Sequence, residues 1–203
     1  MRYVDLTLAV NEKIPPFPGD PKYEEKSLFK IEKHGVNEKR ISLNSHFSTH
    51  IDAPYHMLAG GNKLDEFTIE TFIGKALVID VLGIKKIRNN HLPKKLEYPI
   101  ILFHTGHTKN LLAKDFYANN PVITEEVAHN LVKHNVKIVG IDSFSPDNPP
   151  YTVHKILFRK NILIVENLTN LERIGKYCKL FIAPLNIQNA DGAPVRVIAE
   201  LHG

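Results

Sequence analysis

Short runs of apolar residues recur along the chain and predict a protein built mainly on a β-sheet. Each run is brief and rich in β-branched side chains, which favours strands over helices. Several runs are apolar throughout instead of alternating, so we expect a sheet that is covered on both faces or closed into a barrel. The predicted strands cover residues 76–81, 100–103, 137–141, 162–165, 180–183 and 195–201.

Helical periodicity is clearest over residues 125–135. Thr124 precedes this segment as a suitable N-cap, and two glutamates occupy its first turn, where the helix dipole favours negative charge. Its apolar stripe consists of Val127, Ala128, Leu131 and Val132. A second, shorter helix is predicted to begin near His154, with weaker helical character over 67–73. Strands outnumber helices, so the predicted class is mixed α/β, as one domain over residues 1–203 with a barrel-like sheet flanked by helices.

One segment, residues 46–52, alternates between polar and apolar side chains instead of being apolar throughout. In residues 46–52 (HFSTHID) the even positions carry histidine, serine, histidine and aspartate, so on an extended strand these polar side chains share one face. At ~3.3 Å per residue, His50 and Asp52 lie ~7 Å apart and can share an ion, whereas His46 lies ~13 Å from His50. The backbone must therefore bend near Ser48 if all three groups bind one metal.

Pro54 follows this segment and removes a backbone donor, so the chain is expected to leave the sheet there. His56 then lies in a loop, free to point at whatever His50 and Asp52 hold. Imidazole and carboxylate ligands suit Zn²⁺, Mn²⁺ or Fe²⁺. The alternative is that these are surface polar residues on the wet face of an edge strand, but four such groups together favour a metal site.

A second group of candidate ligands lies downstream. Asp142 and Glu166 end apolar, strand-like runs, and ligands collect beyond the carboxyl ends of parallel strands. If His154 opens a short helix that runs away from the sheet and the next strand runs back, His154 and Glu166 can finish at the same end. The alternatives are a strand-end carboxylate that caps the following segment and a helix-terminal histidine. The spacing alone favours neither the role of His154 and Glu166 as metal ligands nor these structural roles.

Composition narrows the class of protein further. The chain has 203 residues, of which 43% are hydrophobic and 24% charged, as in soluble one-domain proteins. The net charge of +4 is spread out and interleaved with 22 carboxylates, so no nucleic-acid partner is predicted. The lone Cys178 excludes an internal disulfide and a cysteine-rich zinc site. No apolar run approaches the ~18 residues of a membrane span, so we expect no membrane partner and a cytoplasmic location.

Residues 46–56 carry a specific motif. They read HFSTHIDAPYH and match the pattern H-x-G-T-H-x-D-x-P-x-H, except that Ser48 stands at the position of the glycine. With the segments PPFPGDP, VGID, ILIVENL and APLNIQNADGAPVR, this motif makes the chain resemble the metal-dependent cyclase family of hydrolases, which includes kynurenine formamidases and isatin hydrolases. The resemblance covers nearly the whole chain and implies a fold like the swivelling β/β/α fold.

The resemblance also implies roles for individual residues. The metal ligands would be His46, His50, Asp52, His154 and Glu166. His56 would be the catalytic histidine, and Phe17 falls where such enzymes place an aromatic residue near the substrate, although a packing role explains Phe17 equally well. One or two divalent ions per chain are expected, Zn²⁺ first and Mn²⁺ second, with Asp52 as the natural bridge because a carboxylate has two oxygens. A homo-oligomer, dimer or tetramer, is the protein partner that the family implies.

The predicted function is hydrolysis of a small-molecule amide. The expected reaction is of the arylformamidase type, from N-formylkynurenine to kynurenine and formate. The metal would activate water, and His56 would accept its proton and return it to the leaving nitrogen. The alternatives are hydrolysis of a cyclic amide such as isatin and a non-catalytic metal-binding role. His104 and His107 are interpreted as polar loop residues, and Cys178 as a small buried side chain.

Overall fold

The computed structural model describes residues 2–201, which contain twelve strands and three α-helices. The strands are β1 Arg2–Asp5, β2 Glu24–Phe29, β3 Glu38–Ser42, β4 His50–Asp52, β5 Ile73–Asp80, β6 Lys86–Ile87, β7 Ile100–His104, β8 Val122–Ile123, β9 Ile138–Ile141, β10 Leu163–Glu166, β11 Tyr177–Pro184 and β12 Gly192–Leu201. The α-helices are α1 Ile31–His34, α2 Glu125–Lys133 and α3 Thr152–Phe158. Short 3-10 turns cover Pro54–His56, Leu64–Glu66, Ile69–Phe72, Asn89–His91, His107–Asn110 and Leu171–Arg173.

Seven strands close into a mixed barrel. Their hydrogen-bonded order is β12–β11–β5–β7–β9–β10–β4, and β4 pairs back onto β12 to complete the ring. β1 extends the sheet as an antiparallel partner of β12. Neighbours among β5, β7, β9 and β10 are parallel, and the remaining pairs in the ring are antiparallel. The carboxyl ends of the four parallel strands therefore meet at one end of the barrel, where ligands are expected.

Apolar side chains cover both faces of the parallel strands, as their unbroken apolar runs predict. In β7, Ile100 and Leu102 belong to one buried cluster, while Ile101 and Phe103 belong to another. The first cluster draws on all seven strands of the ring and fills the barrel interior. The second lies between the barrel wall and α2 and α3. Burial of each such side chain contributes about 1.5–3 kcal/mol, so the two clusters fix the frame that carries the site.

The structure confirms the predicted class and the barrel-like sheet. Each of the six predicted strands overlaps a strand of the ring. Helix α2 begins directly after Thr124, as predicted, and ends two residues early, at Lys133. Helix α3 begins at Thr152, so His154 lies inside its first turn instead of opening it. The weakly helical segment 67–73 forms only a 3-10 turn.

Strand β1 and the hairpin formed by β2 and β3 were not predicted. All residues of β2 and β3 are exposed, and most are polar or charged, so neither strand shows an apolar run or a buried alternating face. Their pairing therefore gives no signal that hydrophobic periodicity can detect. Within residues 2–201, no helix is long and apolar enough to cross a membrane.

Candidate metal centre

A bend in the backbone brings His46 to the same place as His50 and Asp52. Regular strand β4 begins only at His50, and residues 45–49 form a turn and a bend instead of extending it. Ser48 has a φ of 62°, in the left-handed region that favours glycine. The bend predicted near Ser48 is therefore present, and this serine adopts a conformation that costs an L-residue about 1–2 kcal/mol.

Strand register places the downstream candidate ligands beside the upstream ones. β4 pairs antiparallel with β10, so Glu166 stands directly opposite His50 in the ladder. Their side chains meet, with 3.3 Å between His50 Nε2 and Glu166 Oε2. From α3, His154 Nε2 reaches within 3.4 Å of Glu166 Oε1. The chain therefore runs out along the short helix α3 and back along β10, which brings His154 and Glu166 to the same end of the barrel.

Five side chains form two overlapping groups around Asp52. One group contains His46, His50 and Asp52, the other contains Asp52, His154 and Glu166, and the ligand atoms within each group lie within 4.8 Å of one another. Asp52 Oδ1 lies 2.6 Å from His46 Nδ1 and 3.2 Å from His50 Nε2. Its other oxygen, Oδ2, lies 3.8 Å from His154 Nε2. The two oxygens of Asp52 thus face different groups, as a bridging carboxylate requires.

Two of the histidines are oriented by oxygens outside these groups. His50 Nδ1 lies 2.9 Å from the carbonyl oxygen of Ser48, and His154 Nδ1 lies 2.5 Å from Asp147 Oδ1. In each ring the remaining nitrogen, Nε2, is then directed at the carboxylates of the cluster. This arrangement is typical of histidines that bind metals, because the outer acceptor fixes the tautomer and the ring orientation. Asp147 was not predicted from the sequence.

Asp191 is a second residue that was not predicted. Its Oδ2 atom lies 2.8 Å from His46 Nε2 and 3.8 Å from His56 Nδ1. The next residue, Gly192, allows this close approach, since a Cβ there would lie 2.6 Å from the carbonyl oxygen of Ile51 and 2.8 Å from His46 Cε1. Asp191 therefore orients His46 as Asp147 orients His154, and it also faces His56.

Charge pairing dominates the protonation of the cluster. Burial lowers the pKa of both His50 and His154, but the charges and hydrogen bonds of the neighbouring carboxylates outweigh burial and hold both pKa values well above 6.5. Burial raises the pKa of Asp52, but the histidines around it outweigh this effect and hold its pKa well below 3.8. A divalent cation that enters the cluster must displace protons from the histidines, so its affinity falls as the pH falls.

The donor set fits a divalent transition metal. Imidazole nitrogens and carboxylate oxygens are the usual ligands of Zn²⁺ and also suit Mn²⁺. The Oε1 atom of Glu166 is buried and has no hydrogen-bond partner within residues 2–201. His154 Nε2 lies 3.4 Å from this oxygen without forming a hydrogen bond, so the oxygen can still coordinate a cation. The residues present are therefore able to hold an ion.

His56 stands outside the ladder, at the edge of the cluster. Pro54 begins a 3-10 turn that ends at His56, so the chain leaves the sheet there as predicted. The ring centroids of His56 and His46 lie 3.9 Å apart, and the His56 side chain is 28% exposed. Burial lowers the pKa of His56 below 6.5, so its imidazole is neutral at pH 7 and able to accept a proton. Together with Asp191, these two histidines form a third, more exposed group of possible ligand atoms.

A cavity of about 550 Å³ adjoins the cluster. Its lining includes His46, His50, Asp52, His56, His154 and Glu166, together with the aromatic residues Phe17, Phe116, Tyr117, Phe144 and Tyr151. The ring of Phe17 lies 5.8 Å from that of Tyr117 and 5.9 Å from that of Phe144. Phe17 therefore belongs to an aromatic wall of the cavity, where the family resemblance implies contact with a substrate.

The relationship of this chain to known proteins extends over its whole length. The family model named Cyclase matches residues 4–148. Kynurenine formamidase from Bacillus anthracis is 31% identical over 206 residues, which span 97% of this chain and 96% of that protein. The chain belongs to the cyclase family. The resemblance predicted from residues 46–56 is thereby confirmed.

Solved structures share the cyclase-family fold. Isatin hydrolase A from Labrenzia aggregata, bound to benzyl benzoate, has a TM-score of 0.86 and 23% identity, covering 100% of this chain and 94% of its own. A protein from Bacillus stearothermophilus described as a predicted metal-dependent hydrolase has a TM-score of 0.81 and 24% identity, covering 98% of this chain and 97% of its own. These two proteins and this chain therefore share one fold.

Three polar residues named in the sequence analysis have other places in the cyclase-family fold. Asp142 accepts hydrogen bonds from the backbone N–H groups of Thr105 and Gly106, and so fixes the loop after β7. The interpretation of His104 as a polar loop residue is wrong, whereas His107 lies in the loop after β7, as predicted. His104 is the last residue of β7, His107 begins a 3-10 turn, and their exposed fractions are 5% and 7%. His104 is buried at the end of β7, whereas His107 is buried against Phe116, whose carbonyl oxygen lies 2.9 Å from His107 Nε2.

Proposed function

We propose that this cyclase-family protein is a divalent-metal-dependent amidohydrolase of the arylformamidase type, which converts N-formylkynurenine to kynurenine and formate. The observation that carries the proposal is the pair of ligand groups that share Asp52, beside the neutral imidazole of His56, in the wall of an aromatic cavity. Similarity to a kynurenine formamidase along 97% of the chain supports the same reaction.

The proposed metal site uses the donors that meet around Asp52. The residues proposed to hold one or two ions are His46, His50, Asp52, His154 and Glu166. We propose Zn²⁺ first, because histidine and carboxylate donors are its usual catalytic ligands, and Mn²⁺ second. When bound, such an ion polarises a carbonyl group and lowers the pKa of water toward neutrality.

His56 is proposed as the general base. It accepts a proton from the water whose oxygen adds to the formyl carbon, and it returns the proton to the amide nitrogen as the C–N bond breaks. The products are then formate and the free aryl amine. Asp191 Oδ2 lies 3.8 Å from Nδ1 of His56, so its charge would favour the imidazolium that forms when His56 accepts the proton. No serine or cysteine nucleophile is required.

The cavity also offers charges for the amino-acid group of N-formylkynurenine. Lys155 and Asp20 both line it, alongside the aromatic residues proposed to pack against the aryl ring. Lys155 directly follows His154 in α3, and its Nζ donates to the carbonyl of Pro150 at 2.8 Å, which holds the ammonium group at the rim. We propose that Lys155 binds the carboxylate of the substrate and that Asp20 binds its ammonium group.

Replacing Lys155 by methionine is expected to lower kcat/KM for N-formylkynurenine about 10-fold. A hydrogen bond to a charged group contributes about 1.5–3 kcal/mol, and every 1.4 kcal/mol corresponds to tenfold in affinity. Hydrolysis of formanilide, which lacks the amino-acid group, should not change. The matched control is Lys160→Met, because Lys160 is exposed just after α3 and is not part of the cavity lining. An equal loss with both substrates would contradict the assignment of Lys155.

Formate release tests the proposed reaction directly. Metal-loaded protein is expected to yield formate and kynurenine in equal amounts from N-formylkynurenine, and removal of the metal with a chelator should stop the reaction. Isatin serves as the comparison substrate, since its ring opens without releasing formate. Faster turnover of isatin would favour the cyclic-amide alternative. Bound metal without turnover of either compound would favour a non-catalytic metal-binding protein.

A further inference from the structure

A second cavity lies at the carboxyl ends of β5 and β7. Its volume is about 710 Å³, larger than that of the cavity beside the metal centre, and the two cavities share no lining residue among residues 2–201. Asp80 and His104, the last residues of these parallel strands, stand side by side in the ladder, and both line the second cavity. Ligands collect at this end of parallel strands, and cavities of about 300–1,000 Å³ are the size that small molecules occupy. The position and the volume are therefore those of a binding site.

His104 is a polar group of this cavity whose hydrogen bonding is incomplete. Its side chain is only 6% exposed, and Nε2 is buried with no hydrogen-bond partner among the described residues. Nδ1 lies 3.6 Å from Asp80 Oδ1 and Nε2 lies 4.0 Å from Glu172 Oε2, so neither carboxylate forms a hydrogen bond with the ring. We assign the proton of the neutral ring to Nδ1, which faces Asp80, and this leaves Nε2 as an acceptor. Buried polar atoms nearly always have a partner, so a donor from outside the chain is expected at Nε2.

The charged groups around the second cavity favour a cation. Asp80 and Glu172 contribute two carboxylates to the lining. Lys176 also lines the cavity, but its Nζ atom lies over the ring of Tyr177, 5.4 Å from the ring centroid. Lys109 Nζ lies 4.0 Å from Glu172 Oε2, but the lysine side chain is 61% exposed, so solvent screens this pair and weakens it. A positively charged hydrogen-bond donor is therefore the group best suited to this lining.

A metal ion does not fit this position. The two ring nitrogens of His104 face different carboxylates, so an ion at Nε2 would meet Glu172 but not Asp80. Within residues 2–201, no group of three close ligand atoms includes His104, whereas zinc sites use three or four protein ligands. Most of the lining is apolar, which suits an organic molecule. The apolar side chains include Leu77, Val78, Ile79, Leu82, Leu92 and Leu171.

We propose that the second cavity binds a small organic cation, with a primary ammonium group at His104 and Glu172 and an apolar body against the leucine and isoleucine side chains. An ammonium group has three N–H donors, so it can bridge a nitrogen and an oxygen that lie 4.0 Å apart. The Glu172 side chain is 43% exposed, and exposed side chains change rotamer within nanoseconds, which gives the ammonium group a route to Nε2. Asp80 adds a second negative charge beside the ring. The proposal is independent of the reaction proposed for the metal centre.

Binding of 2-phenylethylamine to the full-length protein tests the proposal. This amine carries one ammonium group on an apolar body at neutral pH, and 3-phenylpropionate is the matched probe with a carboxylate instead. In NMR spectra of labelled protein, the amine should shift the imidazole nitrogen signals of His104 and the amide signals of residues 77–82 and 171–176. The carboxylate probe should leave these signals unchanged. The spectra also locate the amine, because binding beside Asp20 in the cavity at the metal centre would shift different amides.

Glu172→Gln should weaken the binding of 2-phenylethylamine about 10-fold or more, because the hydrogen bond to a charged carboxylate is replaced by one to a neutral amide. The matched control is Glu97→Gln, which should bind the amine as the wild type does, since Glu97 is exposed and lines neither cavity. Circular dichroism checks that both variants are folded.

Four results would overturn the proposal. An unchanged dissociation constant in Glu172→Gln would place the ammonium group elsewhere, and so would amide shifts confined to the cavity beside the metal centre. Equally tight binding of 3-phenylpropionate would show that the second cavity does not select a cation. If the His104 signals of the unmodified protein do not respond to millimolar 2-phenylethylamine, the partner of Nε2 is a water molecule instead of a ligand.

Discussion

The variant Asp52→Asn is expected to lose tightly bound divalent metal and hydrolytic activity together. Asp52 links the group of His46 and His50 to the group of His154 and Glu166. Its Oδ1 faces His46 and His50, and its Oδ2 faces His154. Asparagine keeps the shape but replaces one oxygen by an NH₂ group and removes the charge. We expect metal affinity to fall more than about 100-fold, beyond the 10–100-fold that is typical when an outer partner of a ligand is changed.

Asp147→Asn provides the matched control for this prediction. It makes the same chemical change at a residue that contacts the candidate ligand His154 but is not itself a candidate ligand. Its metal affinity should fall only about 10–100-fold. Competition with a coloured chelator measures both variants, and circular dichroism checks that both are folded. Wild-type metal affinity in Asp52→Asn would show that the carboxylate does not bridge the two groups.

Local patterns predicted much of the fold, because the barrel is built from strands buried on both faces. The run at 100–103 gives β7, whose alternate residues enter the two separate cores. Closure of the ring depends on β4, a strand of three residues that pairs with both β10 and β12. These partners follow it by more than a hundred residues, and pairing over such distances leaves no mark in hydrophobic periodicity. The apolar runs therefore left two alternatives open, a sheet covered on both faces and a sheet closed into a barrel.

The candidate site shows the same division between local and distant signals. The spacing of His50 and Asp52, and the turn that follows at Pro54, could be interpreted from one short segment. Asp191 could not, since it lies in the segment NADG, which resembles an ordinary polar turn. It reaches His46 because β12 pairs with β4 immediately after it, with Gly192 opposite Asp52. An acidic residue directly before a glycine that begins a strand is a weak local signal, although this segment is one of those that carry the family resemblance.

His56→Ala is expected to abolish hydrolysis while leaving the metal bound, whereas His50→Ala should lose both. His50 is buried between two candidate ligands, with Nε2 3.2 Å from Asp52 Oδ1 and 3.3 Å from Glu166 Oε2. His56 lies beyond Pro54, outside the ladder, and pairs instead with Asp191 at 3.8 Å. Removal of a general base typically lowers the rate ~10²- to 10⁴-fold, so the loss will be measurable. Elemental analysis of the two purified variants, with kcat for N-formylkynurenine, separates the roles.

Added imidazole provides a control on His56→Ala, because a diffusible base can fill the space left by the ring. Partial recovery of kcat at unchanged metal content would assign proton transfer to this position. Loss of metal from His56→Ala would instead identify the group of His46, His56 and Asp191 as a binding site, and the role of base would then belong to another residue. Near wild-type turnover would remove His56 from the reaction altogether. These two contrary outcomes differ in metal content. One preparation of the variant therefore shows whether His56 binds the metal or takes no part in the reaction.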